Sequence, residues 1–362
     1  MTDDGIYESL EEALADIGGA RVLYLYGDEL RPFDWKLPAS IVNLVNLEEL
    51  SVEQYDQLEF PNNFSALLSL TKLTLHCFNK EIPAEILSVS QLKSLTIGTA
   101  IERLPEAIVN LQSLTTLDIE GIELVDEFIG ELINLKRLVL GGSKLTYLPD
   151  SIAALKNLEL LNLEYSGMTT LPKIICRLDK LKHLNIGHTY IDELPLEIAY
   201  LKQLESLQFD KPFPHHGKEK YKTRVKQIRQ SWCEIESLKS LSLSHQNIID
   251  VSANIKNLVN LKVLDLSYND MAELPVELLT IPNLRTLNLD CNQLTVLPNE
   301  IITCDTLETL SLLKNPIEEL PVGFTELKNL RVLDVRGLPW ERTAFEKLVN
   351  DMPDTEVIFY KH

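Results

Sequence analysis

Residues 261–283 read L-K-V-L-D-L-S-Y-N-D-M-A-E-L-P-V-E-L-L-T-I-P-N, and 23 residues on the same skeleton starts again at Leu284, then at Leu307 and Leu330. The shared pattern is L-x-x-L-x-L-x-x-N-x-Φ-x-x-L-P-x-x-Φ-x-x-Φ-x-x, where Φ is apolar. A fixed period of this length is the mark of stacked structural repeats. Leu264 and Leu266 stand two apart, so both face one side of a short strand and Asp265 faces the other. Asn269 is placed to offer its amide to backbone groups where the chain leaves the strand. Leu274-Pro275 ends the extended run, and Leu278 and Ile281 return to the interior on a helical turn. A single repeat cannot bury its own leucines, so its neighbours must stack on it. The reading is an α/β solenoid.

Outward from that stretch, the first leucines run Leu47, Leu70, Leu92, Leu114, Leu135, Leu158, Leu181, Leu204, Leu238 and on to Leu330, after a first repeat at Ala20. The Leu114 repeat is two residues short and has Glu127-Phe128 in place of Leu-Pro, which predicts a local change of curvature around residues 120–130. Before the first strand (Arg21–Tyr26), the residues Ile6, Leu10, Ala13, Leu14 and Ile17 stand at helical spacing, so residues 1–19 are expected to be a capping helix. Phe33 and Trp35 are expected to fold over it. Beyond Leu330 the repeat decays, and residues 341–362 are expected to close the other end with a helix (Thr343–Asn350) and a last strand holding Val357 and Phe359. The solenoid proper is then residues 20–340.

One repeat is long. From Leu204 to Leu238 there are 34 residues, 11 more than the period. The excess falls at about 210–232 and opens with a loop, Lys211–Gly217. Tyr221, Val225, Ile228, Trp232 and Ile235 are spaced 4, 3, 4 and 3, which predicts an inserted helix. Its other face carries Lys218, Lys222, Arg224, Lys226 and Arg229, the most basic stretch of an acidic chain.

Net charge is −20 over 362 residues, a balance that repels nucleic acid and anionic lipid. No run approaches the roughly 18 apolar residues of a membrane helix, and no basic-then-apolar leader stands at the start. Five scattered cysteines suit thiols in a reducing cytoplasm better than a disulfide framework.

The Leu-Pro-x-x-Φ-x-x-Leu elements beginning at Leu148-Pro149, Leu171-Pro172, Leu194-Pro195, Leu274-Pro275, Leu297-Pro298 and Leu320-Pro321 resemble the leucine-rich repeats of Ras-binding, Scribble-type and bacterial cytosolic proteins. The resemblance covers about residues 20–340. It implies a horseshoe with a parallel concave sheet, short helices or turns on the convex side, and a concave face that binds protein.

Catalytic signatures are missing: there is no glycine-rich phosphate loop, H-E-x-x-H, C-x-x-C or G-x-S-x-G. His215-His216 lacks a ligand partner at helical spacing, so it reads as a solvated loop, and Cys77 and Cys291 read as plain surface thiols. No catalytic residue, metal or cofactor is expected. The informative residues alternate with the core leucines: Asp118, Glu120, Glu164, Tyr165, His188, Asp210, His245 and Tyr268. They read either as an ordinary solvated sheet face or as a partner site, with tyrosines among acids as anchors. The basic helix reads as a solvated face, or as a secondary docking surface for an acidic partner. The functional expectation is a monomeric, cytoplasmic, non-enzymatic interaction scaffold that binds an unidentified protein partner on its concave face. The rival class is a bacterial effector recognising a host protein through the repeats.

Overall fold

The computed structural model describes residues 4–30, 36–53, 58–76, 80–98, 101–211 and 227–360. Phe33, Trp35, Cys77, His215, His216, Lys218, Lys222, Arg224 and Lys226 lie outside the described residues. By its internal contacts the chain divides into two units, Met1–Met168 and Thr169–His362.

The first unit holds strands β1 (Ile6–Tyr7), β2 (Val22–Tyr26), β3 (Glu49–Glu53), β4 (Lys72–His76), β5 (Ser94–Ile97), β6 (Thr116–Ile119), β7 (Arg137–Val139) and β8 (Leu160–Asn162), each parallel to the next. Register follows the period, so Leu50, Leu73, Leu95, Leu117, Leu138 and Leu161 stand in one row and all are buried. Each such leucine contributes about 1.5–3 kcal/mol by leaving water, and only the adjoining repeats can shield it.

The second unit repeats the design with β9 (His183–Asn185), β10 (Ser206–Gln208), β12 (Ser240–Ser242), β14 (Val263–Asp265), β15 (Thr286–Asn288), β16 (Thr309–Ser311), β17 (Val332–Asp334) and β18 (Glu356–Ile358), again parallel. A separate small pair joins β11 (Gln227–Ile228) to β13 (Asp250–Val251).

Opposite the strands the chain makes 3-10 turns of three to five residues. Proline sets several of them. Its ring fixes φ near −65°, and Pro149, Pro172, Pro195 and Pro298 stand extended just before the turn, with ψ between 133° and 154°. Their carbonyls then accept from Ile152, Ile175, Ile198 and Ile301 at 3.0–3.1 Å. The Glu127–Glu131 turn forms without a proline, Asp126 taking the extended place.

Beneath the strand exits runs an asparagine ladder. Asn269 Nδ2 donates to the carbonyls of Leu243 (2.9 Å), Leu266 (2.9 Å) and Ser267 (3.2 Å), while its Oδ1 accepts from the Gln246 and Ile248 amides, both at 3.0 Å. Asn292 and Asn315 repeat the bridge in the next two repeats, and all three are buried. Earlier repeats put Ser143, Ser166, Thr189 and Gln246 there, each buried.

Both ends differ in detail from the sequence reading. The first helix, α1, spans only Leu10–Ala15, because Ile6 and Tyr7 pair with Val22 and Leu23 as β1. Ile6 and Ile17 are therefore exposed, and Tyr7, Leu10 and Ala13 are buried. A further short helix, α2 (Gly27–Leu30), follows β2, and α3 (Arg342–Asp351) buries Phe345 and Leu348 close to its expected bounds. The expected inserted helix does not reach its described end. Ile228 lies on β11, and Gln230–Glu234 is a 3-10 turn carrying the buried Trp232.

Candidate functional site

The polar residues of the sheet face are largely occupied in holding the backbone. At the last position of four strands of the second unit a carboxylate or amide Oδ1 accepts from the amide two residues on: Asn185 from Gly187 (2.9 Å), Asp265 from Ser267 (2.9 Å), Asn288 from Asp290 (3.1 Å) and Asp334 from Arg336 (3.1 Å). Two residues further along, Asp210 Oδ1 accepts from Ser242 Oγ (2.6 Å) and from the Ser244 amide (2.8 Å). Asp290 Oδ1 is bound in the same way by Ser311 Oγ and the Leu313 amide. Asp210 thus ties two repeats together.

The next residue of each repeat turns the chain out of the sheet. Its amide donates across to the following repeat: His188 to the Asp210 carbonyl (2.6 Å), His245 to Ser267 (3.2 Å), Tyr268 to Asp290 (2.7 Å), Cys291 to Leu313 (2.7 Å) and Lys314 to Arg336 (2.8 Å). These five residues are left-handed, with φ of 54°, 60°, 54°, 52° and 56°. Residues with a Cβ seldom adopt this conformation.

Three of these side chains join into one surface. The His245 imidazole stacks closely on the Tyr268 ring, with centroids 4.3 Å apart and 13° between planes. Tyr268 is 41% exposed while His245 beneath it is 7% exposed, so only the tyrosine presents itself to solvent as an anchor must. The neighbouring Cys291 thiol, ahead of burial and the charge of Asp290, raises the Tyr268 phenol above its ordinary range. Cys291 is therefore a half-buried member of the surface, not the plain surface thiol its sequence position suggested.

Below this surface the carboxyls are ill at ease. Burial chiefly pushes Asp265 up, with Asp210 adding repulsion, and burial chiefly pushes Asp290 up, with Asp334 and Asp265 adding to it. In the first unit, Asp118 on β6 is raised by burial and Glu120, against lowering by Arg137 and His76. Glu120 itself is exposed. Tyr165 is 59% exposed at φ 57°, and Glu164 donates its amide to Asn162 Oδ1 at 2.9 Å. Of the basic row only Arg229 is described, and it pairs with Glu193. Among the described residues, no group of three His, Cys, Asp or Glu could hold a metal ion, and no helix is long and apolar enough to cross a membrane.

Residues 124–230 match a family model described as a leucine-rich repeat region, and residues 282–337 match one described as a leucine rich repeat. A disease resistance protein of Arabidopsis thaliana is 38% identical over 112 residues, which is 29% of this chain and 9% of that protein. The chain thus matches less than a tenth of that relative's length. Among solved structures, a leucine-rich-repeat protein of Leptospira interrogans is 26% identical with a TM-score of 0.77, over 98% of this chain and 99% of that one. A plant peptide hormone receptor, solved in complex with RGF2, is 20% identical with a TM-score of 0.60, over 99% of this chain and 66% of the receptor, a likeness of fold alone.

Proposed function

Taking as premise that the chain is a leucine-rich-repeat protein, we propose that it is a non-enzymatic interaction module that holds a protein partner on the outward face of its sheet. The observation that carries this reading is the division of labour on that face. Aspartates and asparagines are spent on backbone amides and serine hydroxyls, whereas the Tyr268 ring stands exposed on a buried imidazole. Aromatic groups so placed are the usual anchors of protein interfaces. A plant receptor of similar fold has been solved in complex with RGF2, so the fold can serve in such a complex. The module is read as a cytoplasmic monomer; Cys176, Cys233, Cys291 and Cys304 are free thiols, which suits that setting. The test is affinity capture with the full chain and with its Tyr268→Ala and Tyr165→Ala variants. A protein retained by the wild type and lost from one variant, at unchanged melting temperature, is the expected result. A partner retained equally by both variants would remove the sheet face from the account.

A further inference from the structure

The left-handed position at each strand exit is one the fold itself fills best with glycine. Gly142 in the first unit and Gly337 in the second occupy it with φ of 61° and 74°, and a Cβ at Gly142 would meet no atom within 4 Å. A side chain added at Gly142 costs backbone strain and projects into open space, whereas at Gly337 its Cβ would come to 3.0 Å from Lys314 Cγ. His245, Tyr268, Cys291 and Lys314 nevertheless hold it in consecutive repeats of the second unit. Their amides make the bonds that tie one repeat to the next, which any residue would make. The identities of these side chains therefore serve what lies above the sheet.

We propose that this row in the second unit, centred on the Tyr268 ring, receives an extended segment of a protein partner that carries arginine or lysine; the proposal rests on the protein-binding reading above and names the partner's chemistry. Charge complementarity selects that occupant around Tyr268, two repeats before the row's own cation, Lys314. Under and beside the row lie the half-buried carboxylates Asp210, Asp265 and Asp290, and the neighbouring charges that disturb Asp265 and Asp290 are other carboxylates. Arg336 is already committed to Asp334 through three guanidinium contacts, two at 3.0 Å and one at 2.5 Å. A guanidinium or ammonium arriving from outside gains the carboxylates and the face of an exposed phenol together. An acidic segment would meet repulsion from the same groups, in a chain of net charge −20.

The experiment selects random short peptides displayed on phage against the full-length chain and measures the survivors on purified variants. Enriched peptides are expected to carry an excess of Arg and Lys over the starting library. Their affinity should fall about tenfold or more on Tyr268→Gly, and again on Asp265→Asn with Asp290→Asn, which keep the Oδ1 acceptors and drop the charges. Lys314→Gly should melt above wild type, since it relieves strain at an exposed position. Enrichment of neutral or acidic peptides, or basic peptides that bind all variants equally, would overturn the proposal and leave the interaction module standing. Failure to enrich any peptide would count against both readings. A Lys314→Gly chain that melts below wild type would show the position to be structural, and would also overturn the proposal.

Discussion

Replacing Asn269 by alanine should destabilise the second unit more than the same change at Asn292, although the two residues are equally buried and occupy the same place in consecutive repeats. The difference lies in what each leaves behind. Without Asn269, the Gln246 and Ile248 amides lose their acceptor and the Leu243 carbonyl loses its donor, while Leu266 keeps a bond from Asn292 at 2.9 Å. Without Asn292, the Leu266 and Leu289 carbonyls are still served by Asn269 (2.9 Å) and Asn315 (2.8 Å), and Asp290 by the Tyr268 amide (2.7 Å). Only the Met271 amide is stranded. A buried donor left unsatisfied costs about 1–3 kcal/mol. Asn292→Ala, stranding one group, should therefore cost about 1–3 kcal/mol, and Asn269→Ala, stranding three, about 3–9 kcal/mol. At about 2–4 °C per kcal/mol for a unit of this size, calorimetry should separate the two melting temperatures by several degrees. Equal losses, or losses within a degree of wild type, would show that the ladder does not hold the strand exits.

Leu266→Asp buries an unpaired carboxylate between repeats, and a loss of several kcal/mol should melt the adjoining repeats with it; circular dichroism within a degree or two of wild type would contradict the stacking. Asp265→Asn keeps the bond to the Ser267 amide that Asn185 and Asn288 make in their own repeats, and it removes a carboxyl whose folded pKa is raised. A raised carboxyl binds its proton more readily when folded, so wild-type stability falls as pH climbs from the unfolded pKa through the folded one. The variant should thus melt higher at neutral pH, with the gap closing below the carboxylate range; a gap that widens with acid would refute the assignment. Burial pushes the thiols of Cys176 and Cys304 up to about 11 and that of Cys233 to about 12, so iodoacetamide at pH 8 should leave all three unlabelled until the chain is denatured. Peptide mass mapping reads this directly.

The leucine spacing was enough to place the strands, because a period of 23 residues fixes which side chains share the interior and only stacking buries them. Leu-Pro likewise announced the turns, since proline sets its own φ and the turn follows from it. Asn269 was legible as a bridge, though not as a ladder whose rungs share carbonyls. The left-handed row was not legible. Glycine signals such a backbone at 142 and 337, but His, Tyr, Cys and Lys signal nothing of the kind, and the amide each donates to a carbonyl of the next repeat is invisible in the sequence. His245 looked like an exposed anchor for the same reason: which ring covers which depends on stacking across strands, not on alternation along one. Near Trp232 a helical spacing misled, because apolar residues 3 and 4 apart also fit a strand pair, β11 with β13, followed by a 3-10 turn.

Hydrogen exchange on the complex with the captured partner addresses the sheet-face claim most directly, since it reports every amide of the second unit at once. Binding on this face predicts added protection at the strand exits around residues 242–246, 265–269 and 288–292, with the turns at Val276–Thr280 and Asn299–Thr303 unchanged. Protection confined to those turns, with the exits exchanging as in the free protein, would place the partner on the opposite side and contradict the account.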